Sequence, residues 1–265
     1  MLTYSVRLAE DATAMALLTT EALVLRTYDL GETSKVVVFL TRARGKLRAV
    51  AKGARGAKPR YRSALEPLSE VAISLYGRQG AELFRLGDCD LLRSAFPTGS
   101  RDLERSLFLS YAAELLDGFA LEGESEDKLY RLALVTVRAA DGALPRQALS
   151  RYLEAWLLRL HGLYPPLDRC AACSRELPAG PRVYDRASHG FVCDDCGPAS
   201  GPVIPEGACA FLGDVFRRAP TELGGPLPAE AGVLEPFHHD LISRHLERAL
   251  RSQRVLRDVA REAGR

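Results

Sequence analysis

The chain has 265 residues, 47% of them hydrophobic, with 36 basic against 34 acidic side chains. That is enough apolar material for one large domain or two or three small ones, and the near balance of charge excludes a uniformly basic or acidic protein. No stretch approaches the roughly 20 apolar residues that span a bilayer, and Arg7, Glu10 and Asp11 stand where a signal peptide needs an apolar core, so a cytosolic protein is expected.

In chain order, residues 1–20 form an N-terminal extension and residues 21–96 read as β. "EALVLRTY", "KVVVFLT", "GKLRAVAKG", "LSEVAISLYG" and "AELFRLGDCDLL" are β-branched or alternate in polarity, and "DLGETS", "RARG", "GARGAKPRYRS" and "GRQG" separate them. Five short strands of this spacing predict a small barrel, either of the oligonucleotide-binding (OB) type or of the SH3-like type. After Phe96 and Pro97 the period changes to about 3.6. Leu103, Leu107, Tyr111, Leu115 and Phe119 predict one helix, Leu129, Leu132 and Val135 a second, and Leu149, Leu153, Trp156, Leu157 and Leu160 a third. "PEGACAFLGDVFRR" and "PFHHDLISRHLERALRSQRVLRDVAREA" predict two more, the last with Leu241, His245, Leu246, Ala249, Leu250 and Leu256 on or near one face. The expected domains are therefore 21–96, a helical domain of 97–167 and 204–265, and a cysteine-bearing insertion at 168–203.

Charge is unevenly placed. Residues 21–96 carry 14 basic and 8 acidic side chains, whereas residues 97–265 carry 21 and 24. From Arg42 to Arg62 the chain places Arg42, Arg44, Lys46, Arg48, Lys52, Arg55, Lys58, Arg60 and Arg62 with no acidic residue among them. Alternation in "GKLRAVAKG" sets Lys46, Arg48 and Lys52 opposite Leu47, Ala49 and Ala51, so one side of a strand packs while the other is positive. The Gly-rich loop that follows carries Tyr61, and cations mixed with an aromatic suit phosphates and unpaired bases. A solvated charged face is the bland alternative.

Cys170, Cys173, Cys193 and Cys196 give two C-x2-C pairs separated by nineteen residues, long enough for a hairpin that brings the pairs together. Four thiolates complete a tetrahedral shell around one zinc ion per chain and leave no open position, so the metal is expected to be structural. Cys89 and Cys209 read as buried, inert thiols, His189 as redundant beside four sulfurs, and His238 and His239 as solvated or cap-proximal. Phosphate-cradling loops, nucleophile elbows and open metal motifs are missing from the sequence, so no enzyme is expected.

The segment "EALVLRTYDLGETSKVVVFLTRARGKLRAVAKGARGAKPRYRSALEPLSEVAISLYGR" resembles the N-terminal domain of the bacterial recombination mediator family RecO, and "YAAELLD", "RYLEAWLLRLHGLYPPLDRCAACSREL" and "GFVCDDCG" resemble its helical domain and cysteine knuckles. The departures are the extension through Thr20, the Gly/Pro-rich residues 220–236 and a weaker match at the last helix. The resemblance implies a multi-domain α+β protein with a five-stranded OB-fold barrel and a helical C-terminal domain bearing an inserted four-cysteine zinc module. It implies a cytoplasmic, nucleoid-associated DNA repair protein that binds single- and double-stranded DNA and anneals strands coated by the single-stranded DNA-binding protein. With RecR, such a protein helps load RecA. DNA contacts would fall on Lys35, Arg42, Arg44, Lys46, Arg48, Lys52, Arg55, Lys58, Arg60 and Arg62. The tail of the single-stranded DNA-binding protein would meet the helical domain, where Arg131, Arg159 and the arginines of "RHLERALRSQR" supply cations.

Two other readings compete. A zinc-ribbon transcription or translation factor would contact nucleic acid through its knuckles, yet residues 168–200 hold four arginines against five acidic residues. A dithiol redox enzyme would need a thioredoxin-like strand and helix around its cysteines.

Overall fold

A computed structural model describes residues 16–55, 61–78, 80–95, 102–196 and 201–247, together with Leu250 and Ser252. Five strands, β1 (Ala16–Leu30), β2 (Ser34–Thr41), β3 (Gly45–Ala51), β4 (Glu70–Gly77) and β5 (Phe84–Arg93), close into a barrel in the order β1-β2-β3-β5-β4. This is the OB-like topology. The contact between β3 and β5 is parallel and short, limited to Ala49 with Phe84 and Val50 with Arg85, while all other ladders are antiparallel. Alternation decides the faces: Val37, Phe39, Leu47, Ala49, Ala51, Val71, Ile73, Leu75, Phe84 and Leu86 fill the interior.

The first strand begins within the expected extension. Ala16 to Thr20 pair with Gly77 to Ile73 of β4, so Leu17 and Thr19 are barrel residues. A bulge at Leu25 lets β1 bend between its two partners, and the backbone of Val24 there exchanges hydrogen bonds with Leu68 and Ser69. Gly31 turns the first hairpin at φ 60°.

Helix α1 (Leu103–Phe119) starts at Asp102, whose carboxylate accepts the Arg105 N–H. Tyr111, Leu115 and Phe119 are buried as the spacing predicts, but so are Phe108, Leu109, Ala112 and Leu116, and Leu103 is exposed. In α2 (Asp127–Ala139) Leu129 and Leu132 are buried and Val135 is exposed, contrary to the expected stripe. The described residues form two compact units, the first ending at Leu134 and the second beginning at Val135.

In the second unit α3 (Arg146–Leu160) packs on α4 (Glu206–Val215) and α5 (Leu234–Leu246). A three-stranded sheet, β6 (Arg182–Asp185), β7 (Gly190–Val192) and β8 (Val203–Ile204), is ordered β7-β6-β8. The Gly/Pro-rich segment carries two single 3-10 turns, Pro220–Glu222 and Ala229–Val233. The last helix starts at Leu234, earlier than predicted, and Glu247 with φ 50° ends it. His245 is exposed rather than on the packed face, and Ala249 and Leu256 lie outside the described residues.

Candidate functional site

On β3 the alternation puts Lys46 and Arg48 on the barrel's outer surface, but that surface is not uniformly positive. The Lys46 ammonium donates to the carbonyl of Asp117 at 2.8 Å and lies 3.7 Å from its carboxylate. Arg26 reaches the same carboxylate at 3.3 Å. Arg48 pairs with Glu122, and Arg42 with Asp127 at 3.3 Å and Glu21 at 3.8 Å. The backbone joins in: Lys46 N–H donates to Leu121, and Gly123 N–H donates to Lys46, so residues 121–123 cover the half of β3 that β5 leaves unpaired. Gly45 is required there, because its φ is 55° and a Cβ would stand 2.1 Å from the Glu124 carbonyl oxygen. Asp127, Asp117 and Glu122 lie about 70–85 residues downstream of Arg42, Lys46 and Arg48, and linear spacing carries no signal for such a pairing.

The remaining cations differ. Lys35, Arg44 and Lys52 have no carboxylate partner among the described residues. Arg55 folds back on the β1–β2 hairpin, donating to the Gly31 carbonyl at 2.9 Å and pairing with Asp29 at 3.4 Å. Lys58, Arg60 and the Arg62 side chain lie outside the described residues, although the Arg62 backbone opens the 3-10 turn Arg62–Leu65. Tyr61 does not belong to a binding loop surface. It is 5% exposed, packs in the barrel core and donates its hydroxyl to the carbonyls of Leu86 and Gly87. The free cations can neutralise a polyanion at little cost, because no internal ion pair has to be broken.

The four cysteines converge. Their sulfur atoms all lie within 4.8 Å of one another, and Cys173 Sγ to Cys193 Sγ is 3.8 Å. A tetrahedral zinc with bonds of about 2.3 Å separates its sulfurs by roughly 3.8 Å, so the set fits one ion. The β6–β7 hairpin brings the pairs together as the sequence predicts. Ala171 N–H donates to Phe191 at 2.7 Å, and a Cβ on Gly190 would meet the Ala171 methyl at 2.4 Å, so the first knuckle sits directly on β7. Backbone N–H groups of Cys173 and Cys193 aimed at Cys170 lower its thiol pKa to about 6, which favours a thiolate. Arg175 and Asp195 form an ion pair across the knuckles.

Cys89 is half-buried, and its thiol is pushed up to about 12, by burial first and by Asp90 second. Cys209, also half-buried, is raised mainly by burial. Both shifts disfavour the thiolate. His238 departs from the sequence expectation: it is fully buried, its Nδ1 lies 2.9 Å from Glu154 Oε2, and its Nε2 lies 3.0 Å from the Tyr164 hydroxyl. Burial lowers its pKa while Glu154 opposes the shift, and burial raises that of Tyr164 well above the ordinary range. A neutral imidazole satisfies both bonds, donating to Glu154 and accepting from Tyr164.

Among the arginines expected to edge a partner surface, Arg131 pairs with Asp127 and Arg244 with Asp240. Arg159 stacks its guanidinium over Phe216 at 4.4 Å and over Trp156 at 5.4 Å. It lines a cleft of about 430 Å³ with Tyr164, Pro165, Pro166, Phe216 and Arg217.

Residues 15–95 match the family model described as recombination protein O N terminal, and residues 100–254 match recombination protein O C terminal. The DNA repair protein RecO of Anaeromyxobacter dehalogenans strain 2CP-C is 34% identical over 244 residues, covering 89% of this chain and 94% of its own length. That of Koribacter versatilis is 35% identical over 235 residues, covering 87% and 94%. That of Geobacter metallireducens is 34% identical over 243 residues, covering 91% and 97%.

Proposed function

The chain belongs to the recombination protein O family of DNA repair proteins, and from that premise we propose that it is a recombination mediator. It binds single- and double-stranded DNA through the barrel, anneals complementary strands coated by the single-stranded DNA-binding protein and, with RecR, helps load RecA. It makes and breaks no covalent bond. A cationic surface holding two strands lowers their mutual repulsion and raises their local concentration, and annealing follows from that alone. Its place of work is the cytoplasmic nucleoid. The helical part receives the acidic, apolar tail of the single-stranded DNA-binding protein, and the cleft beside Arg159 and Phe216 offers such a tail an apolar wall with a cation at its edge.

One zinc ion held by Cys170, Cys173, Cys193 and Cys196 would supply a closed structural cross-link, with no coordination position left for a substrate. The knuckles hold that region in shape rather than reading nucleic acid, since their exposed charges include Asp194 and Asp195 as well as Arg175.

The observation that carries this reading is the group of cations without internal partners, Lys35, Arg44 and Lys52, on an OB-like barrel. Each phosphate contact on a single strand contributes roughly 0.7 to the slope of log affinity against log salt. Replacing all three by Ala flattens that slope by about two and weakens single- and double-stranded binding alike. An unchanged slope in a folded triple variant moves the DNA site off these cations. Arg42, Lys46 and Arg48, whose charges are already met by Asp127, Asp117 and Glu122, contribute less to the slope.

A further inference from the structure

With Tyr61 buried in the core, the described barrel strands expose two aromatic rings, Tyr28 near the end of β1 and Tyr76 on β4. The ladder registers place Val50, Arg85, Tyr76 and Leu17 side by side on four adjacent strands, β3, β5, β4 and β1. Their neighbours Ala49, Ala51, Phe84, Leu86 and Leu75 point inward, so this row lies on the outer face. Tyr76 is 36% exposed, Leu17 is 58% exposed, and Arg85 is exposed with no ion pair among the described residues.

The tyrosine ring is held down on the sheet. A Cβ at Gly87 would meet Tyr76 Cε2 at 2.4 Å and Cδ2 at 3.1 Å. Gly87 does not have a positive φ, so its lack of a side chain serves the ring and not a turn. The effect is an aromatic surface fixed against β5, bordered by an apolar side chain on β1 and a guanidinium on β5. No acidic residue shares the row. Two residues beyond Val50 on the chain comes Lys52, one of the unpartnered cations, so that end of the row lies close to a free cation. Just past the C-terminal end of β4, two residues after Tyr76, Arg78 is exposed and also without an ion pair among the described residues.

We propose that Tyr76 is a stacking platform for an unpaired base, with Arg85 beside it contacting the adjacent phosphate, so that the barrel distinguishes single strands from duplex at this position. The inference rests on the reading of the barrel as a DNA-binding surface. An aromatic face stacks any base, so the platform adds affinity for single strands without sequence preference, and a base inside a duplex cannot reach it. Stacking releases no counterion, which separates its signature from that of the lysine and arginine contacts.

The test uses the full chain, a 20-residue oligo-dT and a 20-base-pair duplex, with fluorescence anisotropy across a salt series for Tyr76→Ala, Tyr76→Phe and Arg85→Ala. The expected result for Tyr76→Ala is a loss of about tenfold on oligo-dT, with an unchanged salt slope and unchanged duplex affinity. Tyr76→Phe, which keeps the ring, binds as the parent does. Arg85→Ala flattens the slope by roughly 0.7. Photocrosslinking of oligo-dT carrying 5-iodouracil should attach to Tyr76 in the parent protein, a readout independent of how well the alanine variant folds. Equal loss on both probes, unchanged oligo-dT affinity, or crosslinks confined to other residues would overturn the inference while leaving the phosphate site standing. A parent protein that binds neither probe would instead overturn the proposed function.

Discussion

Glu154, His238 and Tyr164 form a buried chain of hydrogen bonds, with Arg151 closing it at 2.7 Å from Glu154 and 3.6 Å from Glu235. An unfolded histidine titrates near 6.5, whereas burial holds His238 below that value in the folded protein. The unfolded chain therefore binds the proton first, so the stabilising share of His238 is fully present above about pH 6.5 and is lost as pH falls below it. Thermal unfolding measured from pH 8 to pH 5 should show this decline, and His238→Gln should flatten it at a cost of about 3 kcal/mol in overall stability. A parent profile identical to that of the variant would contradict this account. The sequence could not give the residue's role: two adjacent histidines in a helix look solvated, and Glu154 is 84 positions away. Tyr61 failed in the same way, because its neighbours in sequence are basic while its neighbours in space are the barrel core.

At the level of elements, what was legible followed from short-range periodicity. The alternation of β3 fixed which side of the strand packs, and the two C-x2-C pairs fixed the knuckles and the hairpin between them, since ligand spacing and strand period are local properties. What was not legible depended on distant segments: the start of β1 at Ala16, which β4 determines, and the covering of Lys46 by residues 121–123. The knuckles carry a prediction of their own. Double replacement of Cys170 and Cys193 by Ser, or treatment of the parent with a strong chelator, should remove bound zinc and lower the unfolding temperature together, because metal binding is coupled to folding. Strand annealing measured below the new unfolding temperature should persist. Loss of annealing at unchanged thermal stability would make the metal part of the function rather than of the fold.

Across the whole molecule, the excess of positive charge lies in the barrel's third of the chain, and the structure divides it into cations that hold α1 and the 121–127 segment to the barrel and cations that remain available. The covering of β3 has a practical consequence for dissecting the protein. A fragment of residues 16–95 keeps all five strands yet leaves the Lys46 N–H and C=O as an open sheet edge. Open edges of that kind recruit a strand from another copy. Such a fragment is expected to self-associate on size-exclusion chromatography with light scattering, while residues 16–134, which retain the covering segment, should run as a monomer; monomeric behaviour of the shorter piece would show that the edge is protected in another way. The connection between α1 and α2 thus acts as a sixth, rudimentary strand, and the natural point of division for separate expression lies after it.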